Sequence, residues 1–181
     1  MKVYPPQEDS ELLLKVALKE VRPEDDVLEV GVGSGYVAEK VKDRCRFLLA
    51  TDISPYAVKE AKMKGIEVIR TDLFAGIRKK FSLILFNPPY LELDEEEKTG
   101  DWIERALDGG KHGIEVMVRF LEGVREVLAE GGRIILIVSS YNIPYIFEEI
   151  EKRGFEFEIV AERSLFFEKL YALKITSSRD P

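Results

Sequence analysis

Four short segments carry residue types that could do chemistry together: Glu29-Val30-Gly31-Val32-Gly33-Ser34-Gly35, Thr51-Asp52-Ile53, Thr71-Asp72-Leu73 and Asn87-Pro88-Pro89-Tyr90. Three closely spaced glycines let a chain turn sharply and let a ligand approach the backbone. A helix leaving such a turn offers free N–H groups and the positive end of its dipole. A nicotinamide dinucleotide asks for G-x-G-x-x-G, whose last glycine, counted from Gly31, would fall on Tyr36; the spacing here is G-x-G-x-G. Glu29, two residues upstream of Gly31, would repel a pyrophosphate and suits the cationic amino and sulfonium groups of S-adenosylmethionine. The expected cofactor turn is therefore Glu29 with Gly31, Gly33 and Gly35. Asp52 follows about 20 residues after the turn, where a carboxylate can accept from both ribose hydroxyls. Asp72 is placed to meet an adenine amino group, and Leu73 to pack on the ring. A cap or turn is the plainer reading of either aspartate taken alone, and Ser54 before Pro55 is itself a helix cap.

Asn87-Pro88-Pro89-Tyr90 directly follows the apolar run 83–86. Two prolines fix φ twice and hold the residue before each extended. The Asn87 side chain and the Pro88 carbonyl can then point the same way and accept from one planar –NH₂ group, with Tyr90 stacked on its plane. An amide or aromatic amine nitrogen is a poor nucleophile because its lone pair is delocalised. Binding its N–H groups by acceptors aims the lone pair and offsets the positive charge that develops on nitrogen. Asn87, Pro88 and Tyr90 are the expected catalytic residues. A glutamine amide and the exocyclic amine of adenine both meet this description.

These segments must be positioned by an alternating α/β chain. The patterning predicts a helix over about 10–21, capped by Asp9 or Ser10, and strands over 27–30, 47–51, 66–69, 82–86 and 133–138. Helices are expected after the glycine turn, from Pro55, over 114–128 (ended by Gly131-Gly132) and over 144–152, with half-buried antiparallel strands at 156–160 and 170–175. Residues 91 to about 112 read as a long polar loop after a strand end, where open α/β sheets bind ligands. Its acidic run 94–97 reads as a solvated face, His112 as a mobile loop residue, Trp102 as a loop anchor and Tyr36 as packing.

Composition bounds the function. The chain has 181 residues, 45% of them hydrophobic, enough for one domain over 1–181 with a real core. One cysteine, Cys45, and one histidine, His112, leave no internal disulfide and no zinc site, and Cys45 is expected to pack as a small hydrophobe. A net charge of −7 gives no general attraction to nucleic acid. No apolar run is long enough to span a bilayer, and the N-terminus lacks a signal-peptide pattern, so a soluble cytoplasmic protein is expected. Gln occurs once and Asn twice among 34% charged residues, as in thermophilic proteins.

Taken together the motifs resemble those of class I methyltransferases, and more closely the HemK-like release-factor glutamine methyltransferases of the single-domain archaeal and eukaryotic branch. The resemblance rests on Val3-Tyr4-Pro5-Pro6-Gln7-Glu8-Asp9-Ser10 with Leu12-Leu13-Leu14, on the four segments above, and on Gly109-Gly110-Lys111-His112-Gly113 with Glu115-Val116-Met117 and Arg119-Phe120. It implies a Rossmann-like, seven-stranded, mostly parallel sheet with an antiparallel last strand and helices on both faces. It implies methylation of the glutamine amide in the Gly-Gly-Gln motif of a peptide chain release factor. At the cofactor it implies Ser10, Glu29, Gly31, Gly33, Gly35, Asp52, Ile53, Asp72, Leu73 and Asn87. It further implies a small zinc-binding activator subunit, with an apolar edge near strand three as its docking face. The N-terminal helical domain of bacterial relatives is not expected here.

Overall fold

The computed structural model describes residues 2–94 and 100–177. Seven strands form one sheet in the order β3-β2-β1-β4-β5-β7-β6. They are β1 (Asp26–Val30), β2 (Phe47–Asp52), β3 (Val68–Arg70), β4 (Phe81–Phe86), β5 (Leu128–Ser139), β6 (Phe155–Ser164) and β7 (Lys169–Ser177). The pairs among β1 to β5 are parallel, while β7 runs antiparallel to both β5 and β6. The Rossmann-like class I methyltransferase sheet is therefore the one observed. Every residue of β1 is buried, as befits a parallel strand covered on both faces.

Among the described residues, six α-helices accompany the sheet: α1 (Glu8–Glu20), α2 (Tyr36–Val41), α3 (Pro55–Met63), α4 (Trp102–Leu107), α5 (Glu115–Gly123) and α6 (Tyr145–Lys152). Alternation along the strands divides the core. Val27, Leu83, Leu85, Ile135 and Ile137 share a cluster with Leu13, Ala17, Ala38 and Ala61 of α1, α2 and α3. Their neighbours Leu28, Ile84, Phe86, Ile134 and Leu136 turn to the other face and join Met117, Phe120, Leu121, Ile146 and Ile150 of α5 and α6. Fully burying one such side chain contributes roughly 1.5–3 kcal/mol, so each face closes by its own apolar stripe. Among the described residues no helix is long and apolar enough to cross a membrane.

Several boundaries depart from the sequence pattern. Helix α1 starts at Glu8 with Gln7 as its N-cap; neither Asp9 nor Ser10 caps it, because Asp9 is buried inside the helix and accepts from the Ser10 amide at 2.6 Å. Helix α5 stops at Gly123, and a 3-10 turn leads into β5 at Leu128. Gly131-Gly132 thus lies inside a strand rather than ending a helix. The β4–β5 register slips between Phe81 and Leu83 there, with Gly131 at φ +67 and no room for a side chain at Gly132. The third strand is Val68–Arg70, displaced from 66–69, because Ile66 is spent on packing the turn before it. The stretch 91–112 is not all loop: it holds α4, capped by Asp101, whose side chain accepts from the Glu104 amide at 2.9 Å. Of the acidic run, 95–97 lie outside the described residues.

Candidate active site

Strand β1 sits between β2 and β4, so the chain leaves it in one direction and returns on the other side. Open α/β sheets bind ligands at such a reversal, outside the carboxyl ends of the strands. A cavity of about 360 Å³ opens there, lined by residues of all four motifs, and falls in the size range of cofactor pockets. The glycine turn takes left-handed φ at Gly31 (+69), Gly33 (+52) and Gly35 (+77). Asp52, at the end of β2, fixes this turn: its Oδ2 accepts from the Gly33 amide at 2.9 Å and its Oδ1 from the Ser54 amide at 2.8 Å. Ser54 in turn caps α3 by accepting from the Ala57 amide at 3.4 Å. The carboxylate and the cap expected as alternatives for this segment therefore coexist, on different residues.

Most of the expected cofactor residues line the cavity: Ser10, Glu29, Gly31, Gly33, Asp52, Ile53, Asp72, Leu73 and Asn87, with Pro88 and Tyr90 beside them. Gly35 does not. A Cβ there would meet Ile66 Cδ1 at 2.8 Å, so this glycine serves the close packing of α2 on the turn before β3. Leu73 holds a left-handed φ of +52, uncommon for a branched residue, and its carbonyl accepts from Thr51 Oγ1 at 2.7 Å. Asp72 Oδ2 meets Arg119 Nη2 at 2.6 Å.

Two side-chain oxygens set this cavity apart. Among the described residues, Glu29 Oε2 and Asn87 Oδ1 are the buried side-chain polar atoms without a hydrogen-bond partner. Burial pushes the Glu29 carboxyl up to about 8; a hydrogen bond from the Ala38 amide opposes the rise and the Asp52 charge adds to it. Leaving such groups unmet is costly, and native structures rarely do so without a use. A ligand that brings positive charge to Glu29 and N–H donors to Asn87 fits the pair.

The Asn-Pro-Pro-Tyr segment is clamped from behind. A Cβ on Gly109 would lie 2.7 Å from the Pro89 carbonyl oxygen, and one on Gly113 would run into the Tyr90 carbonyl. The Gly-Gly-x-x-Gly motif thus exists to let residues 109–113 lie against this segment, helped by the Gly109 amide donating to Leu91 O at 2.7 Å. Asn142 completes the clamp. Fully buried, it donates from Nδ2 to the carbonyls of Tyr90 (3.0 Å), His112 (3.1 Å) and Gly113 (3.4 Å), and its Oδ1 accepts from the Ser139 amide at 2.8 Å. Burial, and then the charges of Asp9 and Glu168, hold the Tyr90 hydroxyl above its usual range, so Tyr90 stays neutral.

Sequence reasoning passed over Asn142, and it quoted Tyr4, Asp9 and Arg119 for the resemblance without giving them a place in the site. The signal for Asn142 was one of only two asparagines, just after an apolar strand. Trp102 lines the cavity and meets Tyr56 edge-on at 6.4 Å, and Tyr36 lines it too. His112 is not a loose loop residue: its ring stacks on Tyr145 at 4.1 Å while Asn142 holds its carbonyl. Cys45 packs partly buried against the core, as expected.

The arrangement has counterparts. The family model "Methyltransferase small domain" matches residues 7–167. A putative protein N5-glutamine methyltransferase of Methanocaldococcus jannaschii is 38% identical over 94% of this chain and 90% of its own length. The human methyltransferase HEMK2 is 32% identical over 97% and 90%. A solved complex of E. cuniculi Mtq2 with Trm112, responsible for methylating the eRF1 translation termination factor, superposes with a TM-score of 0.80 at 26% identity, over 98% of this chain and all of that one. The chain belongs to the methyltransferase small domain family, as an enzyme of its HemK-like glutamine methyltransferase branch.

Proposed function

We propose that this enzyme methylates the side-chain amide of the glutamine in the Gly-Gly-Gln motif of a peptide chain release factor, using S-adenosylmethionine. The observation that carries the reading is the buried, partnerless Asn87 Oδ1 at the head of the Asn-Pro-Pro-Tyr segment, in one cavity with the partnerless Glu29 Oε2. When bound, the cofactor supplies an electrophilic methyl group on a sulfonium. Glu29 holds its cationic amino end, with Ser10, Gly31 and Gly33 alongside. Asp52 takes the ribose hydroxyls on the lone pairs that the Gly33 and Ser54 amides leave. Asp72, whose Oδ2 meets Arg119, would accept from the adenine amine, and Leu73 and Ile53 would flank the ring.

Asn87 Oδ1 and the Pro88 carbonyl accept the two N–H groups of the substrate amide, and Tyr90 lies against its plane. Held so, the amide nitrogen would face the methyl group that the cofactor supplies, and the N–H proton released by the transfer would leave to solvent. No side chain need act as a strong base, which fits a neutral Tyr90. An E. cuniculi relative is solved in complex with Trm112, and a small activator subunit of that kind suits the β3 edge of this sheet, where Ile69 and Met63 are exposed, as is Ile53, which lines the cavity. An enzyme that acts on a translation factor would work in the cytoplasm.

The test is transfer of labelled methyl to an intact release factor, to the same factor with the glutamine changed to alanine, and to DNA, with the activator present. Label only on the intact factor, reduced roughly 10²–10³-fold in kcat by Asn87→Ala with cofactor affinity kept, is the expected result. Label on DNA with the factor untouched would turn the reading to an adenine amine.

A further inference from the structure

Strand β6 runs alongside β5 in direction, so the β6–β7 turn lies at the same carboxyl end of the sheet as the active site. Its tip carries two of the most exposed large side chains among the described residues, Phe166 at 92% and Phe167 at 85%, with rings 4.8 Å apart edge to face. This is no floppy loop. The Leu165 amide donates to Glu168 O at 2.8 Å, Tyr141 Oη donates to Phe167 O at 2.8 Å, Ser139 Oγ donates to Glu168 Oε2 at 2.6 Å, and the Lys169 amide donates to Ser140 Oγ at 3.1 Å. Four bonds thus hold two phenyl rings out in water, an arrangement that marks an interaction surface.

The tip is joined to the substrate clamp by adjacent residues. Tyr141, itself 57% exposed, bonds to Phe167, and the next residue, Asn142, bonds to Tyr90 O. The half-exposed Tyr145, stacked on His112, continues the aromatic surface. The charge beside it is negative: Asp9, Glu168 and Glu8 all act on the Tyr90 hydroxyl, while the nearby cations Arg163 and Lys169 are taken up by Glu11 and Glu162. A glutamine carried on a protein would enter at Tyr90 with its flanking chain running outward, and the aromatic tip is exposed apolar surface at that same end of the sheet.

We propose that Phe166 and Phe167 form a docking knob for the protein substrate, engaging an apolar, positively charged stretch beside the target glutamine. The inference rests on the functional reading above. A positively charged stretch suits this negative surface better than a second copy, which itself carries −7. It is also a better occupant than the activator, whose proposed edge β3 lies at the opposite end of the sheet from β6.

Both rings are exposed, so the double variant Phe166→Ser, Phe167→Ser keeps its core. Initial rates against release-factor concentration, with activator present, should show KM raised about tenfold or more with kcat and cofactor affinity unchanged. Wild-type KM should also rise with salt. An unchanged KM in an enzyme whose wild type labels the factor overturns the docking knob alone. Loss of activator binding, or of a wild-type dimer on gel filtration, overturns it in favour of that occupant. A wild type that leaves the factor unlabelled overturns the functional reading, and the knob with it.

Discussion

At the amino ends of the strands, Asp25 and Arg133 are nearly as buried as anything in the protein, at 2% and 5% exposed. They meet through two bonds, Arg133 Nη1 to Asp25 Oδ1 at 3.0 Å and Nη2 to Oδ2 at 2.7 Å. Ser82 Oγ and the Arg22 amide each donate to the same carboxylate at 2.7 Å, and Arg133 also reaches Ser82 O and Glu20. At the carboxyl ends Glu29 is just as buried, at 3%, yet Oε2 has nothing to bond, and Asn87 Oδ1 shares that condition. Burial does not tell these regions apart; the partner count does. A closed network has its partners within the protein, whereas the open one turns its unmet oxygens to a cavity that a ligand can enter.

The largest effect should come from opening the closed network. Arg133→Met leaves the Asp25 carboxylate buried with no counter-charge, and breaking such a pair costs about 3–5 kcal/mol. Urea unfolding should show that loss, and Asp25→Leu added to Arg133→Met should recover most of it, because two apolar groups leave nothing uncompensated. A loss below about 1 kcal/mol would mean that water replaces the guanidinium and that the network is not closed in the sense argued.

An effect of comparable size, with the opposite dependence on pH, should come from the open end. Burial pushes the Asp25 carboxyl up, but the Arg133, Ser82 and Arg22 hydrogen bonds and the Arg133 charge outweigh it and hold the carboxyl below its ordinary 3.8. Its contribution is therefore present above that value and lost as pH falls. Glu29 is raised from 4.5 to about 8, so the folded protein keeps a proton that the unfolded chain gives up. Ligand-free stability should fall by roughly 1.4 kcal/mol per pH unit across that window from this group alone. Glu29→Gln should remove the slope, leaving the ligand-free variant more stable than wild type near pH 8. S-adenosylmethionine should raise the wild-type Tm more at pH 8 than at pH 6, since a bound cation favours the ionised carboxylate, and should do so much less in the variant. Parallel pH profiles for the two ligand-free proteins would show that Glu29 is not the open group.

How much of this contrast the sequence disclosed depends on how local each part is. The glycine turn, Asp52 and Asn-Pro-Pro-Tyr each write their geometry into adjacent residues, through positive φ, a strand-end carboxylate and two fixed prolines, so they could be read directly. Gly35 belongs to the same local pattern but faces Ile66 and is not among the residues that line the cavity. Asn142 and the Asp25–Arg133 pair could not be read that way. Asn142 acts on Tyr90, 52 residues earlier, and Arg133 reaches Asp25, 108 residues earlier, across strands that only the folded sheet makes neighbours. Gly131-Gly132 shows the same limit in the fold: glycines after a helical stripe look like a stop, and only pairing with β4 makes them an irregular step inside β5.

The smallest effect should be found back at the amino end, at an ion pair that resembles the closed one on paper. Asp26 is joined by Lys79 at 2.6 Å and by Arg46 at 2.9 Å, and the Arg46 hydrogen bond does most to hold its carboxyl down near 2. Both cations are largely in water, however, with Lys79 46% and Arg46 65% exposed. When Lys79 is removed, Arg46 and solvent still serve the carboxylate, so no charge is stranded. Lys79→Ala should cost less than about 1 kcal/mol in urea unfolding, and added salt should erase even that, whereas the Arg133→Met loss should persist in salt. A Lys79→Ala loss as large as that of Arg133→Met would make charge density at the strand ends, rather than closure of a buried network, the source of stability there. The contrast with Glu29 would then rest on position alone.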